Sequence, residues 1–398
     1  MSERKAFGAA TPLVQRVGRV LFVAIAVALP AYIAGIVWEL NSGRTDAAAV
    51  HIDFVAFWAA AKLAVAGEAI SAFDPNALVA AQSLASDSTW AIYAWHYPPS
   101  FHLLVMPLGW LSFSAAFAIF SACAIGAYIW ALRGWANTVP GGMSLAVAAP
   151  PVAFVLVTGN TSLLWAAALL AGLSALDRGQ AFVAGAMIAL LTLKPQFGLL
   201  IPIALIARRD WRVIIWATLS TAAVTALTVA VFGAGYWVEF FRAMARAAGH
   251  FEIIGPNAVT MITWYAFSRQ FGLDHDAALV VQTISLIGAA AAVGLVWSRS
   301  RTPMDLKIAV LCLATLISTP YAFQYELVLA VLGALFLARA GLGQTPAGRA
   351  WLAALWLLPV PGWLIGGLDI ADYAAPVLTL SVAACTALSL RMPSAAAS

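Results

Sequence analysis

Three apolar runs restrict this chain more than any other feature. Val20 to Val37, Val213 to Phe232 and Ala374 to Leu390 hold no charged residue. Each is long enough, or nearly so, to cross a bilayer, which takes about 20 apolar residues, and fewer where neighbouring helices bury the ends. Of the 398 residues, 63% are hydrophobic and 10% charged, which excludes a water-soluble core. In lipid each backbone polar group must find its partner inside the protein, and continuous apolar runs of this length do so as helices. The expectation is an all-α fold: a polytopic transmembrane helical bundle of about 12 helices, forming one integral membrane domain over 1–398.

The formal net charge of +4 would allow a nucleic-acid partner. The basic residues, however, sit mostly at helix ends, where the positive-inside rule accounts for them. The expected partner is therefore the lipid bilayer, with no nucleic acid. Cys123, Cys312 and Cys385 all lie inside apolar runs without metal-type spacing and read as small hydrophobes. The basic start is followed by a run, Leu21 to Val37, with no convincing cleavage site, so a cleavable signal peptide is not expected.

Charge also orients the chain. Arg4, Lys5, Arg16 and Arg19 precede the first expected helix, near 19–40, and place the N-terminus in the cytoplasm. Later basic marks fall in register. Helices near 111–132 and 213–232, among others, alternate so that Arg133, Arg178, the run Arg208-Arg209-Asp210-Trp211-Arg212, Arg299, Arg301, Arg339 and Arg391 lie inside. Helices near 143–158 and 276–297 complete the pattern, and the C-terminus is also cytoplasmic. Two outside loops result, 41–110 and 233–272. The first holds amphipathic stretches expected to lie at the interface, including Phe54, Phe57, Trp58 and Leu63, and a short re-entrant or interfacial helix over Leu103 to Trp110. The second opens on an amphipathic stretch containing Tyr236, Trp237, Phe240 and Phe241. The expected location is the plasma (inner) membrane.

This register gathers the unusual polar residues on one face: Asp53, His96, Asn160, Lys194, Gln196, His250, Glu252, Asn257, Tyr321, Gln324, Tyr325 and Glu326. Ionisable groups at membrane depth are costly and usually mark function. Each also has a plain structural reading. Asp53 is either a helix cap or a general base. His96, beside Tyr97 in Trp95-His96-Tyr97-Pro98-Pro99, and His102 are either aromatic-belt anchors or part of a site. Asn160, in Gly159-Asn160-Thr161-Ser162, suits a tight turn. Lys194, before Pro195 and Gln196, either snorkels or meets a phosphate. Arg242 and Arg246 run against the positive-inside trend. They form either a solvated basic face or an anion site. Thr319 to Glu326 can simply cap a helix. Nucleotide-binding, zinc-protease and serine-hydrolase motifs are absent from the sequence, and no metal or other cofactor is expected.

An ordered set of short motifs resembles glycosyltransferase family 87. It comprises Asp53-Phe54-x-x-Phe57-Trp58, Phe73-Asp74-Pro75, Tyr97-Pro98-Pro99 with Leu103-Leu104 and Pro107-Leu108, Gly159-Asn160, Leu193-Lys194-Pro195-Gln196 and Ser318-Thr319-Pro320-Tyr321. The resemblance implies a membrane glycosyltransferase of the C-class fold, with its active site on the non-cytoplasmic side and a polyprenyl-phosphate sugar, mannose-like, as donor. It implies Asp53 as the base, and Lys194 and Gln196 near the donor phosphate. Two positions depart from the family pattern: Gly-Asn stands where many relatives have Gly-Gln, and Glu326 where Asp is common. The expected reaction is hexosyl transfer to a lipid or glycan acceptor. A transporter or flippase, or a ligase for a lipid-linked glycan, is the alternative class. A transporter would need polar groups reachable from both faces, and the cytoplasmic halves of the expected helices are almost purely apolar.

Overall fold

The computed structural model describes residues 53–85, 94–254, 260–365 and 367–391. The first expected crossing near 19–40, His51 and Asn257 lie outside the described residues. Within them the chain is helical, with turns between helices and one isolated antiparallel bridge, Met261 to Phe323. In chain order the helices are α1 (Phe54–Val65), α2 (Pro75–Ser83), α3 (Pro99–Val105), α4 (Phe113–Ala136), α5 (Gly142–Val147), α6 (Pro150–Thr158), α7 (Ser162–Asp177) and α8 (Ala181–Ala189). They continue as α9 (Leu200–Arg208), α10 (Trp211–Phe232), α11 (Ala234–Ile254), α12 (Trp264–Gln270), α13 (His275–Ser298), α14 (Met304–Ile317) and α15 (Val328–Arg339). The last three are α16 (Pro346–Trp356), α17 (Val360–Leu364) and α18 (Ala374–Arg391).

Among the described residues, four helices are long and apolar enough to cross a membrane: α4, α10, α13 and α18. Their burial separates two roles. In α4 44% of the apolar window is buried, against 11% in α10 and 22% in α13. The outer faces of α10 and α13 carry Ile215, Leu219 and Leu227, and Val280, Ile284 and Ile287, all exposed. Only lipid makes such faces tolerable, so this is a membrane protein. Inside, α14 and α15 are buried almost all round. Small residues let helices meet closely: a Cβ on Gly185 of α8 would stand 2.6 Å from Ala217 N and Trp216 Cβ of α10. Cys312 and Cys385 are buried as expected, whereas Cys123 is exposed on α4.

Two local expectations change. The helix expected near 143–158 is two pieces, α5 and α6, because Pro150 lacks an N–H and holds Ala149 extended at ψ 141°. The amphipathic stretch after Asp53 is not a surface helix. Phe54, Phe57 and Trp58 of α1 are 0%, 1% and 3% exposed. Phe54 meets the rings of Phe113, Phe117 and Phe120 at 5.7, 5.5 and 5.1 Å. The Trp58 indole donates to Leu111 O at 3.1 Å. Aromatic pairs of this kind contribute about 0.5–1.5 kcal/mol each beyond their buried area. The segment expected to be re-entrant packs beneath α1 as α3 and a tight 3-10 turn, Met106–Trp110.

The helices place their polar ends together. The turn at Gly159 and Asn160 starts α7, which runs away and returns as α8 to Lys194; α9 leaves again from there. α14 returns toward the same end, and the extended stretch that follows it pairs with 260–262 (Ile262 N to Ala322 O 3.0 Å, Gln324 N to Thr260 O 2.9 Å). Glu326 then sits in the 3-10 turn Gln324–Leu327 that opens α15. At the opposite end, Arg339 closes α15 by pairing with Asp305 Oδ1 at 2.7 Å.

Candidate active site

Asp53 occupies the residue before α1, but its side chain makes no capping bond there. Its Oδ2 accepts instead from Asn160 Nδ2 at 2.6 Å, across 107 residues of sequence. The side chain is thus committed to a tertiary contact, and the capping explanation fails.

Asn160 owes its place to Gly159. Gly159 ends α6 in the left-handed region at φ 67°, and the N–H groups of Gly159 and Asn160 both return to Val155 O, at 2.8 and 3.2 Å. A Cβ on Gly159 would fall 2.6 Å from Phe54 Cβ and 2.9 Å from the Phe117 ring. Gly159→Ala therefore combines left-handed strain with overpacking at the residue next to Asp53. The expected cost is about 2–4 kcal/mol in unfolding free energy. It is read as a lowered denaturation midpoint in detergent, together with a loss of turnover.

The turn reading of Asn160 also holds, through its other amide atom. Oδ1 accepts from Ser162 N at 3.1 Å and Ser162 Oγ at 2.7 Å, an Asx turn that opens α7. Lys194 Nζ donates to the same oxygen at 3.1 Å and to Glu326 Oε1 at 2.6 Å. Lys194 lies in a break between two 3-10 turns, Leu190–Leu193 and Pro195–Phe197. Pro195 interrupts the helix and turns the side chain inward. It is 5% exposed, so it does not snorkel. Its ammonium also stands 5.0 Å from the Tyr325 ring and 5.7 Å from that of Phe197. Glu326, 3% exposed, is held by Lys194, by Ser162 Oγ at 3.2 Å and by Phe323 N at 2.9 Å.

Tyr97 packs its ring against Phe57 and Phe101 at 4.9 and 4.6 Å. Burial first, then the charges of Asp53 and Glu326, hold its hydroxyl well above the ordinary tyrosine pKa, so it remains a protonated donor. Four residues singled out in the sequence thus meet through hydrogen bonds, Asp53, Asn160, Lys194 and Glu326, and Tyr97 lies close enough to feel the charges of two of them. Tyr325 joins through its ring.

The surroundings of the other candidates differ. His96 is exposed, and Gln196 is half-buried with no side-chain hydrogen bond recorded among the described residues. Tyr321 is 37% exposed, and Gln324 is buried with its backbone on Thr260. Arg242 and Arg246 lie on α11 beside Glu239, at 3.7 and 2.7 Å. The side chains of His250 and Glu252 lie outside those described. Ser162 is the member that sequence reasoning missed; its only signal was its place two residues after Asn160. His102 proves structural: Nε2 donates to Ala60 O at 2.8 Å, so Nδ1 accepts from the Tyr236 hydroxyl and ties α11 to α3 and α1.

The cluster itself encloses little space. A cavity of about 10 Å³ between Ser162, Trp165, Lys194, Phe197, Glu326, Val328 and Leu329 has room for one water at most. A larger hollow of about 400 Å³, between Trp58, Lys62, Leu84, Ala85, Ser112, Phe113 and Ser114, shares no residue with the cluster. Among the described residues no three His, Cys, Asp or Glu side chains gather as metal ligands would.

The family model of glycosyltransferase family 87 matches residues 95–319, over half of the chain. The chain belongs to glycosyltransferase family 87. Family membership places it among glycosyltransferases rather than transporters, and it requires a sugar donor and an acceptor. The family 87 match contains Tyr97, Asn160, Ser162 and Lys194, while Asp53 and Glu326 lie outside it and are joined to it by the fold. No curated protein and no solved structure matches the chain.

Proposed function

We propose that this family 87 protein is an inverting membrane hexosyltransferase. It transfers a mannose-like sugar from a polyprenyl-phosphate donor to an acceptor hydroxyl on the non-cytoplasmic side of the plasma membrane. In this reading the chain crosses the bilayer about 12 times. The observation that carries the proposal is Asp53, held by Asn160 in a buried polar cluster at one end of an apolar bundle. A carboxylate so oriented can take a proton from a hydroxyl within hydrogen-bond reach.

The step balances without a further reactant. The acceptor oxygen attacks the anomeric carbon as its proton passes to Asp53. The carbon–oxygen bond to the donor phosphate breaks, and the phosphate leaves with the electron pair. Tyr97, protonated and within reach of the Asp53 charge, supplies a neutral donor at the same end. Lys194 offers positive charge for the leaving phosphate, but Glu326 already compensates it. A phosphate engaging Lys194 must therefore compete with Glu326, because the cavity behind the pair holds no more than a water.

The purified protein in nanodiscs is expected to transfer mannose from a synthetic mannosyl polyprenyl phosphate, and not from the corresponding nucleotide sugar. The released polyprenyl phosphate is measured directly. Transfer from the nucleotide sugar alone would reject the lipid-linked donor.

A further inference from the structure

We infer that Asn160, locked by Ser162, is the positioning residue that aims Asp53, rather than a group that binds substrate. The inference rests on the reading of Asp53 as base.

The amide's orientation follows from its partners. Oδ1 faces three donors: the Ser162 N–H, the Ser162 hydroxyl and the Lys194 ammonium. Two lone pairs cannot serve more, so this oxygen is saturated by the protein. Flipping the amide would turn an NH₂ group toward those donors and an oxygen toward the Asp53 carboxylate. The contacts with the Ser162 N–H, the Lys194 ammonium and the Asp53 carboxylate would then be repulsive, which leaves one arrangement, with Nδ2 donating to Asp53 Oδ2 at 2.6 Å.

Each anchor is itself buried: Asn160 is 1% exposed, Ser162 6%, Lys194 5% and Glu326 3%. Asn160 is thus held at its carbonyl by two helical elements, the start of α7 and the turn after α8. It gives one of its two amide N–H groups to the Asp53 carboxylate. With its acceptor saturated and one amide N–H on the base, Asn160 is suited to holding the base. The donated bond stabilises ionised Asp53, so its loss makes that group harder to ionise. Among the described residues, titratable groups at this site include the Tyr97 hydroxyl from the stretch before α3, the Lys194 ammonium from the turn after α8 and the Glu326 carboxylate from the turn before α15. Asn160→Asp keeps an acceptor for Lys194 and Ser162, removes the donor, and sets a second carboxyl against Asp53.

The test is steady-state transfer from mannosyl polyprenyl phosphate across pH. For Asn160→Asp, kcat is expected to fall at least a hundredfold with the donor KM within about threefold. The acid limb of kcat/KM is expected to move up by about one pH unit or more. Asn160→Gln, which keeps both amide functions, should recover part of the kcat and return the limb toward its original position. Ser162→Ala removes one clamp and leaves the Asp53 contact in place. It should lower kcat by a smaller factor, with the limb moved the same way, and it carries the test if the Asp variant does not fold. A raised donor KM with an unmoved acid limb would overturn the inference and make Asn160 a substrate ligand. An unmoved limb and unchanged kcat in Ser162→Ala would overturn the clamp. Failure of the underlying reading looks different: Asp53→Asn would then keep its turnover.

Discussion

Asp53→Asn is expected to abolish most turnover, by about 10²–10⁴-fold, equivalent to roughly 3–5 kcal/mol of barrier. Protein level and thermal stability should stay close to those of the wild type. The structure makes this substitution unusually diagnostic. An Asp at the start of a helix invites a capping explanation, and Asn caps about as well as Asp. Here the side chain makes no cap bond and accepts from Asn160 Nδ2 instead. The carbonyl oxygen of an introduced Asn can accept that same bond, so the Asn160 contact survives while the basic oxygen is lost. The measurement is sugar transfer by purified protein, alongside donor affinity, which should not change. Turnover within about threefold of wild type, far from a general-base loss, would remove Asp53 from the chemistry. Glu326, His96 and Glu252 would then be the next candidates.

The second large effect concerns the Lys194–Glu326 pair, 2.6 Å apart with both side chains under a tenth exposed. Breaking a buried pair by removing one partner typically costs about 3–5 kcal/mol, because the remaining charge is left uncompensated. Lys194→Met should therefore lower the unfolding midpoint in detergent sharply. Glu326 can limit the loss by taking up a proton. Lys194→Met combined with Glu326→Leu should recover much of the stability, since apolar groups of similar volume can replace a buried pair at little cost. The double variant then isolates the ligand role. If Lys194 also meets the donor phosphate, donor affinity stays low in the restored protein. Wild-type affinity there would reduce Lys194 to a clamp on Asn160 and Glu326. A single-variant loss below about 1 kcal/mol, the range of surface pairs, would contradict the buried pairing itself.

Much of the site was legible because the chain is so apolar. In such a sequence Asp53, Asn160, Lys194 and Glu326 are conspicuous, and the charge register puts them at one end of the bundle before any coordinate is known. Hydropathy likewise marked α4, α10 and α13 within a few residues of their ends. Pairing was not legible. Asn160 reaches Asp53 across 107 residues and Lys194 reaches Glu326 across 132, and no local pattern encodes either distance. The aromatic stretch after Asp53 read equally well as an interfacial face. A lipid surface and an aromatic protein interior present nearly the same chemistry to Phe and Trp, so periodicity cannot separate them.

The sequence by itself determined the class of protein: long uncharged runs can satisfy their backbone in lipid only as helices. It also determined the break at Pro195 and the turn at Gly159, because proline lacks a donor and glycine alone enters the left-handed region without strain. The tertiary structure decided what the rare polar groups do. It turned Lys194 inward to Glu326, set Ser162 on Asn160, and took Asp53 from its helix end to face an amide. These outcomes depend on how the helices pack, since a buried charge or amide is tolerable only where partners from distant segments arrive at hydrogen-bond distance.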